Sequence, residues 1–202
     1  MRRLNKQKPI SSFATFVSKN KPTQWEQLPA QISRDSRFAI LCNEQDCLCG
    51  YSEIVLEDDS FSSHIDHYYK RNLFPEKTFD WNNFVVSTVD EDFGGKYKDN
   101  TYKITEADYP LIFNPVLDDM SQYISYLGNG KMIPMDGISQ NDIDKVEKTI
   151  EVFNLNCQSL KDRRKGLIAS LQSCSAFSKD EIREVFSQSG FISVLNWFLK
   201  TI

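Results

Sequence analysis

Apolar positions along the chain change their period twice. Trp25, Leu28, Ile32, Phe38 and Leu41 suggest helical pieces interrupted at Pro29. Residues 53–59 (EIVLEDD) and 64–69 (HIDHYY) alternate or run apolar, with acidic and Ser residues between them, and predict two short strands. Residues 81–88 (WNNFVVST) give the clearest strand signal, because Phe84, Val85 and Val86 are good β-formers bounded by polar residues. The intervening RNLFPEKTFD reads as a loop fixed by Pro75, and Gly94 and Gly95 read as a turn.

The last third has helical spacing. Ile143, Val146, Ile150 and Phe153 follow a Ser139 cap, residues 160–174 predict a second helix, and Ser178 with Glu181 has the spacing of a capping box. The apolar residues 191–197 are expected to seal a core or a partner face. A β-rich centre followed by helices predicts an α+β fold. Three parts are expected: a basic, extended N-terminal arm over 1–30 that contacts a partner or nucleic acid, a core over 31–138, and a helical part over 139–202.

Charge and cysteine content narrow the function. The net charge of −4 has the wrong sign for a general nucleic-acid coat, so contact with phosphates must use local basic patches or a partner's positive surface. One such patch is residues 1–21, where Arg2, Arg3, Lys6, Lys8, Lys19 and Lys21 occur without any acid. No apolar run is long enough for a membrane span or a secretory signal, so a cytoplasmic protein is expected. The five cysteines make a poor disulfide framework, and Cys47 and Cys49 are too close for the usual zinc knuckle.

The chemistry is concentrated at His64–Ile65–Asp66–His67, which holds both histidines of the chain. Adjacent strand residues face opposite ways, but at a strand end an acid can hold a metal while the next imidazole meets a water. That division suits phosphodiester hydrolysis: a divalent ion stabilises phosphate charge, and a neutral imidazole takes the proton of the attacking water. Oxygen ligands such as Asp favour Mg²⁺ or Mn²⁺ over zinc. Lys70 and Arg71 follow at once, Asn83 opens the next strand where its amide can tie down the histidine loop, and Asp90, Glu91 and Asp92 add carboxylates beyond it.

The stretch HIDHYYKRNLFPEKTFDWNNFVVS resembles the centre of the HNH (ββα-metal) nucleases, and within them the PtuB nuclease subunits of Septu anti-phage systems, which also occur as retron effectors. MRRLNKQKP, Trp25, EQDCLCGYSE, DYPLIFNPVLDD and KTIEVFNLNCQSLKDRRK resemble that family in the same order, covering roughly residues 1–165. The resemblance implies a central ββα-metal motif with flanking helices. It implies His67 as general base, Asp66 as metal ligand and Asn83 as the residue orienting the base-bearing loop. Asp92 matches the last ligand, with Asp90 as its rival. His64 is an additional ligand or supports one, and Lys70, Arg71 and Lys96 are the expected nucleic-acid contacts. The family's zinc-binding cysteines fall at Cys49, Ser52, Thr88 and Glu91, so structural zinc is not expected. Gly94 and Gly95 weaken the helix of the motif, which should start near Lys96 or be short. The implied partner is PtuA, an SMC/ABC-like ATPase, and the implied substrate is DNA or RNA. A second reading is a non-catalytic binding module built on the same scaffold.

Overall fold

A computed structural model describes residues 1–59, 61–174 and 176–202. Among these residues, helices and two small antiparallel sheets share one hydrophobic core that runs from Met1 to Leu199, giving an α+β fold. Helices α1 (Ser11–Asn20) and α2 (Ala30–Glu44) precede strands β1 (Ser63–His67) and β2 (Phe84–Thr88). A second hairpin follows, β3 (Ile124–Tyr126) with β4 (Met132–Pro134), and then α3 (Gln140–Val152), α4 (Gln158–Ser173), α5 (Lys179–Phe186) and α6 (Ile192–Thr201). None of the described helices is long and apolar enough to cross a membrane.

Strand β1 pairs antiparallel with β2, placing Ile65 opposite Val86 and His67 opposite Phe84. All of β2 is buried, as its apolar sequence requires. Its far edge is closed by a side chain rather than a strand. The Gln45 carboxamide accepts from Val86 N at 2.8 Å and donates to Val86 O at 2.9 Å, while Gly50 N also donates to Val86 O at 3.0 Å. An edge that would otherwise present free backbone groups is thereby paired.

Residues 1–30 are not an extended arm. Leu4 is buried, and α1 packs Phe13 against Trp81 and Phe84, with ring centroids 5.2 and 5.5 Å apart. Lys6 pairs with the buried Glu44, which also accepts from Gln7 N at 3.1 Å and Trp81 Nε1 at 2.8 Å. Burial pushes the Lys6 ammonium below the usual lysine range, against the pull of Glu44. The counter-charges of this segment lie far away in sequence, which is why it reads as an unneutralised arm.

The strand expected over 53–59 is also absent. Val55 makes one isolated bridge with Leu48, and Glu53 sits at φ +63°, a left-handed conformation that interrupts extended backbone. The kink lets Glu53 O accept from Phe191 N at 2.8 Å and its carboxylate from Ser193 N at 2.8 Å, so it anchors the start of α6. The C-terminal helices form where the pattern places them. Ser139 caps α3 and Ser178 with Glu181 forms the reciprocal box of α5, while Val194, Leu195, Phe198 and Leu199 are buried.

Candidate active site

His67 is the last residue of β1, and its ring is wedged edge-on between Trp25 and Phe84, with centroids 4.7 and 5.0 Å away. Its Nε2 lies 3.0 Å from the carbonyl of Thr78. A carbonyl can only accept, so Nε2 carries the hydrogen and the neutral ring presents an unprotonated Nδ1. No described residue bonds to Nδ1. Burial lowers the imidazole pKa to about 4, which the Thr78 carbonyl and the Asp66 charge only partly oppose, so the ring is neutral at physiological pH.

The path of the chain after His67 is fixed by Asn83, which is buried at the head of β2. Its Oδ1 accepts from Tyr69 N at 2.7 Å, and its Nδ2 donates to Tyr69 O at 3.0 Å and Lys77 O at 3.1 Å. Three of the four hydrogen-bonding positions of one amide thus join both ends of the connection between β1 and β2.

Asp66 faces the other side of the strand. Its Oδ2 accepts from Tyr51 Oη at 2.5 Å and pairs with Lys98 Nζ at 3.1 Å. Gly95 lies directly against this carboxylate: a Cβ there would fall 2.6 Å from Asp66 Cγ, so only glycine allows the approach. Gly94 has a different role, at φ +78° with its amide donating to Phe153 O at 2.9 Å. The helix expected after β2 is reduced to a π-helical turn, Tyr97–Tyr102, a form enriched at functional sites.

A cleft of about 470 Å³ opens here, lined among others by His64, Asp66, His67, Arg71, Lys96 and Asp99. Arg71 pairs with Glu26 at 3.1 Å and Lys96 with Glu91 at 3.7 Å; these pairs are solvated at the rim and weak enough to exchange for a phosphate. Lys70 also lines the cleft but is more constrained, since its Nζ donates to Asp99 O at 2.7 Å. His64 is largely buried, its Nδ1 has no partner among the described residues, and burial lowers its pKa.

The expected metal ligands are not drawn together. Asp92 is exposed in the turn after β2, outside the cleft lining, and Asp90 uses its Oδ1 to accept from Asp92 N at 2.8 Å. Among the described residues no group of three or more His, Cys, Asp or Glu side chains is placed to hold a metal ion. Instead, an ammonium stands between two carboxylates, because Lys98 Nζ is 3.1 Å from Asp66 Oδ2 and 3.2 Å from Asp99 Oδ1. As arranged, these donors do not fit a divalent ion. Lys98 and Asp99 fall on a segment that the sequence marks only as post-turn, and Tyr51 and the Thr78 carbonyl carry no local signal at all.

No protein-family model matches the chain. It is similar to an Escherichia coli protein named "Retron Ec83 putative HNH endonuclease", with 24% identity over 217 aligned positions that span 87% of this chain and 82% of that protein.

Proposed function

We propose that this protein is an HNH-type endonuclease that hydrolyses phosphodiester bonds of nucleic acid in the cytoplasm, as the effector subunit of an SMC/ABC-like ATPase in anti-phage defence. The observation that carries the reading is His67: a neutral imidazole, its Nε2–H fixed on Thr78, in the lining of a cleft rimmed by cations. The similarity to the retron protein over most of both chains supports the same class. The ATPase partnership and the defence role rest on the resemblance to the Septu subunits.

In this reading the scissile phosphate lies in the cleft, its charge met by Arg71, Lys96 and Lys70. Nδ1 of His67 takes the proton of a water as that water's oxygen attacks phosphorus, and the leaving oxygen departs opposite. Thr78 holds the tautomer in which Nδ1 is free to do so. Asn83 positions the strand exit, and Asp66 is held off the imidazole by Tyr51 and Lys98.

The test is co-expression of the full chain with an adjacent SMC/ABC-like ATPase, followed by incubation with DNA and RNA in Mg²⁺, Mn²⁺ or chelator. Cleavage lost in His67→Ala, with complex formation retained, supports the reading. Equal cleavage by the variant removes His67 as base. Absence of cleavage by the wild-type complex under every condition favours a binding module.

A further inference from the structure

Lys98 is fully buried, an expensive place for a charge unless its surroundings replace water. Four oxygens do so. Nζ donates to His67 O at 2.8 Å and Tyr68 O at 3.0 Å, and it meets Asp66 Oδ2 at 3.1 Å and Asp99 Oδ1 at 3.2 Å. Of the ammonium's three hydrogens, two go to the carbonyls, while the carboxylates of Asp66 and Asp99 stand beside it as ion-pair partners; Asp99 Oδ1 is buried without a hydrogen bond among the described residues. Burial alone would lower the lysine pKa, but Asp66 and Asp99 reverse the balance and hold it above the usual range, so the group is charged.

Two carboxylates and two backbone carbonyls around one point are the oxygen set that a hard divalent cation takes. Here the point is filled from within the chain. The π-helical turn brings Lys98 and Asp99, neighbours in sequence, to the same centre. Gly95, with no side chain, leaves room for the Asp66 carboxylate beside it. Two of the four oxygens belong to His67 and to the residue after it, so the ammonium also fixes the backbone that carries the imidazole.

We propose that Lys98 is the resident cation of this cleft, a tethered ammonium that occupies the position between Asp66 and Asp99 and excludes a divalent ion from it. Lys98 is then a positioning residue for the His67 backbone, and Asp66 serves the ammonium rather than a metal. This inference rests on the nuclease reading only for the importance of the cleft, and its test does not use cleavage.

The test is Mn²⁺ binding to the full chain, followed by the electron paramagnetic resonance of free Mn²⁺, in wild type, Asp66→Asn, Lys98→Met and the Lys98→Met/Asp66→Asn double variant. Wild type and Asp66→Asn should bind Mn²⁺ alike, and Lys98→Met should bind at least about tenfold more tightly, with the gain lost in the double variant. A wild-type site weakened about tenfold or more by Asp66→Asn overturns the proposal, as does a folded Lys98→Met that gains nothing. Where Lys98→Met does not fold, the comparison of wild type with Asp66→Asn decides alone. Failure of the nuclease reading is seen separately, as absence of His67-dependent cleavage.

Discussion

Asn83 and Tyr69 are joined twice: the Asn83 carboxamide accepts from the Tyr69 amide at 2.7 Å and donates to the Tyr69 carbonyl at 3.0 Å. The side chain thus completes the backbone pairing beyond the last residue of β1. Replacement by Leu, similar in size but without polar atoms, leaves the Tyr69 amide and the Lys77 carbonyl unpaired in a partly buried setting. Asn83→Leu should cost about 2–4 kcal/mol in denaturant unfolding and lower cleavage more than it lowers nucleic-acid affinity. Full activity in a stable Asn83→Leu protein would remove the positioning role.

His67→Gln keeps a carboxamide able to donate to Thr78 but supplies no base. On the nuclease reading it should reduce the cleavage rate by about 10²–10⁴-fold while the protein stays folded. Rates measured under single-turnover conditions, with binding measured separately, distinguish loss of chemistry from loss of affinity.

The low His67 pKa fixes the sign of two pH effects. The folded value of about 4 lies below the ordinary histidine value of 6.5, so between these limits the unfolded chain binds more protons than the folded one. Stability due to this residue is complete above 6.5 and is lost as pH falls toward 4, by at most about 1.4 kcal/mol per pH unit. His67→Phe should flatten urea-unfolding stability over that window. On the nuclease reading, the acid limb of cleavage should also fall below 6.5; an acid limb centred at 6.5 would contradict a neutral, buried His67 acting as base.

The sequence shows one part of this site well and another hardly at all. Asp66, His67 and Asn83 stand out because they lie within one short stretch that resembles the HNH centre, although Asp66, expected there as a metal ligand, pairs with Lys98 in the structure. Lys98 is read only as part of a polar segment, since its four oxygen partners come from residues about thirty positions away and from the residue beside it. The kink at Glu53 is hidden in the same way: EIVLEDD has a strand's composition, and the partner that bends it, α6, arrives from the far end of the chain. Lys6 looks like a solvated arm residue because Glu44 lies 38 positions away. Local pattern records propensity, while long-range charge pairing overrides it without leaving a trace in the period.

The glycines give a paired experiment on stability. Gly95→Ala would place a Cβ 2.6 Å from Asp66 Cγ, whereas a Cβ at Gly166, within α4, meets nothing within 4 Å. Gly95→Ala should destabilise by about 1–3 kcal/mol through overpacking, and Gly166→Ala should stabilise by about 0.5–1 kcal/mol through helix propensity. Thermal unfolding of both checks the directions. Equal shifts would mean that the Asp66 carboxylate moves freely away from residue 95.

The connection between β1 and β2 is a closed ring, sealed at its root by Asn83 against Tyr69 and Lys77. A sealed root separates the position of the imidazole from the length of whatever lies beyond it. Insertions or deletions around Arg71 and Asn72, which line the cleft wall, can therefore reshape what the cleft admits while the His67 imidazole keeps its place. On the nuclease reading, selectivity and reactivity are mechanically decoupled here, so a lineage under pressure to meet new targets would have a route that changes the one without disturbing the other.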